Sequence, residues 1–115
     1  MRYMLLIYAS EEAYARMTQE ERAALMQGHY TFSTDVQTRG LLTGGEPLQP
    51  TSTATTVRIR NSKTLITDGP FAETKEQLAG AYILNCKDLD EAIDLAARIP
   101  DAMFGSIEIR PVMKI

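Results

Sequence analysis

Apolar residues fill almost every position of Arg2–Tyr8, RYMLLIY, a pattern expected where both faces of a sheet are covered. A central strand is predicted there. The period then lengthens. Ser10 caps a short helical turn over EEAYAR, and Thr18 with Glu21 three residues on forms the sequence signature of a capping box. Beyond it Leu25, His29, Phe32 and Val36 recur at spacings of four, three and four, one stripe of a helix. That helix is expected to reach about Arg39 and to stop at Gly40.

Short segments follow, LLTGGEPLQ, TATTVRIR and TLIT, each bounded by Gly, Pro or Asn, with a turn at Asn61 and Ser62; they read as antiparallel strands. Residues 79–86, AGAYILNC, form another strand. Asp88 with Glu91 then opens a helix over DLDEAIDLAARI, which Pro100 ends. From Ser106 to Val112, Ile107 and Ile109 alternate with Glu108 and Arg110, the period of a strand with one buried face. Two strand–helix–strand halves sharing one antiparallel sheet, with both helices on one face, make a ferredoxin-like α+β domain over residues 1–115. Such packing leaves the other sheet face bare although its strands are apolar in both directions. A second copy of the chain is the simplest cover, so a homodimer is expected.

Composition narrows the function classes. A net charge of −3 and a pI near 5.1 supply no basic footprint for nucleic acid or an anionic membrane. The N-terminus carries only about five apolar residues after Tyr3, too few for a signal core or a membrane span, so a cytoplasmic location is expected. Cys86 is the single cysteine and lies in an apolar strand pattern, as a core thiol would. No HExxH, GxxxxGK[ST] or GxSxG string occurs and His and Cys do not cluster, so no metal or cofactor is expected.

The candidate chemistry starts at His29, a lone imidazole on an apolar helix face. It is either a packed core residue or an acid–base group, since imidazole titrates near neutral pH and a carboxylate partner would orient it. Asp68, at a strand end before Gly69-Pro70, is the candidate partner; its other reading is an Asx-type turn. The residue before proline avoids the α region, so the loop enters extended and Phe71 is expected to anchor it apolar side down. The connection from Asp68 to Gln77 is longer than a hairpin needs and carries Glu73, Lys75 and Glu76 on one turn. These contact a ligand or form a solvated or dimer-spanning charge set. Arg58, Arg60 and Arg110 sit at alternate strand positions and would hold an anionic ligand if they converge. Gly44-Gly45 reads as a bulge or bend.

The string TDGPFAETKE, with LLIY near the start, RGLLTGGEPLQP after the first helix, TATTVR and a final IEIRPV, resembles the DGPF subgroup of the YCII-related family across nearly the whole chain. The resemblance implies a dimeric α+β barrel in which two ferredoxin-like subunits press their sheets together. Members of the subgroup are mostly uncharacterised, and some are found with extracytoplasmic-function sigma factors. The wider family includes a dehydrochlorinase acting on a chlorinated hydroxyquinol and has a proposed His–Asp dyad. In that pattern the histidine lies eleven residues before the glycine that ends the first helix, which is His29 here. The aspartate precedes a proline at the end of the second helix, where this chain has Ile99. On that reading the dyad lacks its carboxylate. The preferred function is therefore a dimeric module that binds a small ligand or a regulatory protein partner, linked to a sigma factor. The alternative is a cofactor-free lyase or isomerase of a small hydroxylated or aromatic substrate, with His29 as general acid or base and Asp68 orienting it. Phe71, Glu73, Lys75, Arg58 and Arg110 are the candidate ligand contacts.

Overall fold

In the computed structural model, which describes residues 1–115, the first strand, β1 (Arg2–Ala9), is not covered on both faces within one chain. Tyr3, Leu5, Ile7 and Ala9 are buried, while Met4, Leu6 and Tyr8 between them are only half-buried. The chain continues through α1 (Glu11–Ala15), α2 (Gln19–Thr38), β2 (Leu42–Pro47), β3 (Thr55–Arg60), β4 (Lys63–Asp68), β5 (Gln77–Asn85), α3 (Leu89–Ala96) and β6 (Ser106–Pro111). The main sheet has the order β2-β5-β1-β6, and all its neighbours are antiparallel. With the β3–β4 hairpin set aside, this is the ferredoxin-like arrangement expected from the pattern.

Local signals act where the sequence places them. Thr18 Oγ1 accepts the Glu21 N–H at 3.1 Å and Glu21 Oε1 accepts the Thr18 N–H at 2.9 Å, the reciprocal capping box at the start of α2. At its other end Gly40 takes φ +73°, the Leu41 N–H reaches the Val36 carbonyl at 2.9 Å, and the Gly40 N–H reaches that of Gln37 at 3.0 Å. These are the two bonds of a Schellman stop. Asp88 caps α3 by accepting the Glu91 N–H at 2.9 Å. Phe32 and Val36 of α2, with Ala92, Leu95 and Ala96 of α3, pack on Tyr3, Leu5, Ile7 and Leu84 of the sheet, so both helices share one face. Cys86 lies in this core, and burial, aided by the Glu91 charge, pushes its thiol above the usual range.

The opposite sheet face pairs Met4 with Ile83 and Leu6 with Ala81, apolar on apolar. The β3–β4 hairpin forms a separate two-stranded sheet, closed by Asn61 and Ser62 at φ 50° and 61°, the left-handed pair of a type I′ turn. Val57 pairs with Ile66, and they stay 60% and 69% exposed. The radius of gyration is accordingly 16.0 Å, against about 13 Å expected for a compact chain of this length. No helix is long and apolar enough to cross a membrane.

This division predicts two different responses to truncation. Phe32→Ala should lower unfolding free energy by about 3 to 5 kcal/mol in urea titration, whereas Ile66→Ala on the hairpin should change it by less than about 0.5 kcal/mol. Similar losses at both sites would mean that the hairpin is folded into the core.

Candidate active site

Helical spacing turns His29 toward the sheet along with buried Leu25, Phe32 and Val36, yet its side chain keeps 25% of its surface exposed. Its Nδ1 lies 2.8 Å from Tyr82 Oη on β5. On the other side Nε2 is bonded to Oδ1 of Asp101, whose side chain is only 9% exposed. Asp101 belongs to a 3₁₀ turn, Pro100–Met103, which starts directly after core residue Ile99. Proline suits the first position of such a turn because its missing N–H would be unpaired there anyway. The turn sits hard against α2 at Gly28, where a Cβ would come within 2.6 Å of Pro100 Cγ. A residue without a side chain at 28 therefore lets the turn approach until its carboxylate meets the imidazole one residue along.

An ionised carboxylate only accepts hydrogen bonds, so the proton on Nε2 is assigned to the bond with Asp101. In the neutral ring Nδ1 is then an acceptor, and the Tyr82 O–H donates to it. Burial, and secondly the Asp101 charge, push the Tyr82 phenol above its usual range, so at neutral pH it holds its proton. Phe32 meets the Tyr82 ring edge-on with centroids 5.0 Å apart, which fixes the phenol from below. Asp101, His29 and Tyr82 thus form one hydrogen-bonded line running from the 3₁₀ turn across α2 to β5.

Several expectations need correction. Asp68 is not the partner of His29: both ring nitrogens are taken by other residues, and Asp68 is exposed at the end of β4, opposite Thr55 in the separate hairpin. Phe71 is not a core anchor but 78% exposed. The loop is held instead by its backbone, with the Gly69 N–H on the Ala54 carbonyl and Thr56 Oγ1 donating to the Gly69 carbonyl, both at 2.7 Å. Phe71 does line a cleft of about 460 Å³ with Tyr8, Leu48, Pro50, Pro70 and Leu78. Glu73 borders an adjoining depression with Glu11 and Thr51, and Lys75 another with Glu12. Arg58 and Arg110 do not converge, since they stand in different sheets, Arg110 with Glu108 at 3.9 Å.

A histidine–carboxylate pair on a ferredoxin-like frame is one observation; the other is that the model of the YCII-related domain matches residues 1–115. The chain belongs to the YCII-related family. It is 38% identical over 114 residues to an uncharacterized protein of Rhizobium meliloti (strain 1021), covering 97% of this chain and 92% of that one. In this YCII-related protein the carboxylate bonded to His29 comes from position 101, directly after Pro100, while position 99 is a core isoleucine. Sequence reading missed it because Ile99 was required by the core and nothing in the string IPDA shows which way the chain turns. The one available signal was an aspartate directly after a helix-ending proline. Tyr82 was missed as one aromatic among the apolar residues of a strand.

The phenol offers a direct check with a defined sign. Its folded-state pKa is raised, so it contributes stability that is fully present below the unfolded value of about 10 and is lost as pH rises through the folded value. Tyr82→Phe should remove the most alkaline part of the tyrosinate absorbance transition. Loss of a component that titrates in the ordinary tyrosine range would contradict the burial described here.

Proposed function

We propose that this YCII-related protein is a cofactor-free acid–base enzyme, a lyase or isomerase of a small hydroxylated or aromatic substrate, in which His29 moves the proton and Asp101 orients it. The observation that carries this reading is the buried Asp101 carboxylate on one nitrogen of a partly exposed imidazole. A carboxylate so placed holds the ring in one tautomer and stabilises the imidazolium formed when the other nitrogen gains a proton. The carboxylate itself stays ionised, and the proton returns from Nδ1 to the product. The regulatory reading rested on a missing carboxylate, and Asp101 removes that ground.

The string DGPFAETKE supports membership of the DGPF subgroup. Its loop walls the cleft at Phe71, whose lining does not include His29, Tyr82 or Asp101, and this supports a ligand-contacting role for that ring apart from the acid–base group. Exposed aromatic surface beside an apolar cleft is where a flat ligand gains most contact.

Turnover of a panel of small hydroxylated aromatic and enolisable compounds tests the reading. His29→Gln should reduce the active reaction by about 10² to 10⁴-fold, and Asp101→Asn should also reduce it, with circular dichroism unchanged. Full activity in both variants would overturn the assignment.

The functional unit is proposed as a homodimer with the bare sheet faces opposed. Met4, Leu6, Ala81 and Ile83 supply a half-buried apolar surface on each copy, bordered by Glu108 and Arg110. Light scattering at low micromolar concentration should give twice the 12.8 kDa of one chain. A monomer under those conditions would remove the barrel assembly.

A further inference from the structure

We infer that Tyr82 is the group through which the His29–Asp101 pair exchanges protons with a substrate, which makes it a catalytic residue of the site. The inference rests on the acid–base reading above. Imidazole has two nitrogens and both are engaged, Nε2 by Asp101 and Nδ1 by Tyr82. A substrate that bonded the ring directly would have to displace one partner. Displacing Asp101 leaves a buried charge unpaired, and displacing Tyr82 strands a half-buried phenol. The phenol oxygen needs no displacement. It spends its one O–H on Nδ1 and keeps two acceptor lone pairs.

A substrate hydroxyl that donates to that oxygen completes a relay in which every bond is accounted for. The substrate O–H breaks as a new Oη–H forms. The original Oη–H breaks as Nδ1–H forms, and the imidazolium stands against the Asp101 carboxylate. Tyr82 is neutral before and after, consistent with its raised pKa. The reverse passage returns the proton. The group that meets a phenol oxygen in this way is an O–H donor, and among neutral O–H groups enols and phenols are acidic enough to pass a proton toward imidazole, so these are the proposed substrate class.

The surroundings suit this role. Tyr82 sits in the middle of β5, on the rigid sheet rather than on a loop. Its cross-strand neighbour on β2 is Gly45, where any Cβ would lie 2.6 Å from the Ala81 carbonyl oxygen. Residue 45 therefore puts no side chain beside Tyr82.

An aryl sulfonyl fluoride tests the inference on the intact protein. The phenol oxygen attacks sulfur, the S–O bond forms as S–F breaks, fluoride leaves, and the phenol proton passes to His29 Nδ1. Tyr82 should label first among the five tyrosines, as read by peptide mass spectrometry. His29→Gln and Asp101→Asn should slow it at least about 100-fold, while exposed Tyr30 labels unchanged as the internal control. Labelling of Tyr30 without Tyr82 in the native protein would show a sealed core phenol and overturn the inference. So would a Tyr82 rate indifferent to both variants. If Tyr82→Phe keeps full turnover where His29→Gln loses it, the relay falls and the acid–base reading stands. If neither variant loses turnover, the underlying reading falls.

Discussion

A carboxylate that is nine-tenths buried must be met by a partner, and Asp101 is the one charged side chain in the buried set of this protein. An unpaired buried charge is costly enough that a neighbour must compensate it or the group must neutralise. His29 compensates it, and in doing so joins three parts of the fold that are far apart in sequence: α2, the turn after α3, and, through Tyr82, the sheet. The close approach of Gly28 to Pro100 is the steric condition for that bond. Stability and the proposed chemistry depend on the same contact, so a disturbance of the turn would be felt in both.

The remaining surfaces are incompletely satisfied by one chain. One sheet face carries both helices, whereas the other presents half-buried apolar side chains, and the β3–β4 hairpin extends into solvent with Val57, Ile59 and Ile66 uncovered. The segment between β4 and β5 is held by backbone bonds at Gly69 and by Gln77, whose Oε1 accepts the Glu11 N–H at 2.9 Å. Its path is thus specified without burying its aromatic ring. That ring is left free to face a cleft, a placement that a core anchor would not allow.

Much of the architecture was legible because local rules are strong where the chain is regular. Thr18 and Glu21, Gly40, Asp88 and the alternation at Ile107 and Ile109 each act within a few residues of themselves, through capping, left-handed backbone or strand period. The stripe from Leu25 to Val36 likewise specified which way His29 would point. The two-sided apolar character of β1 announced a face that needs cover.

The partner of His29 could not be read this way. Asp68 lies two residues before Pro70 and Asp101 directly after Pro100, and the choice between them depends on which one the packing brings to the imidazole. That is decided by long-range contacts: Ile99 sinks into the core, Pro100 rests on Gly28, and the next residue is left facing His29. Phe71 shows the same limit in reverse, since an aromatic ring in a loop predicts burial only if something is there to bury it. Sequence determined the elements and the direction of each face, because those follow from short-range periodicity. Tertiary structure alone decided which side chains meet, because the hydrogen bonds of the site join residues 29, 82 and 101 through distances that no local rule spans.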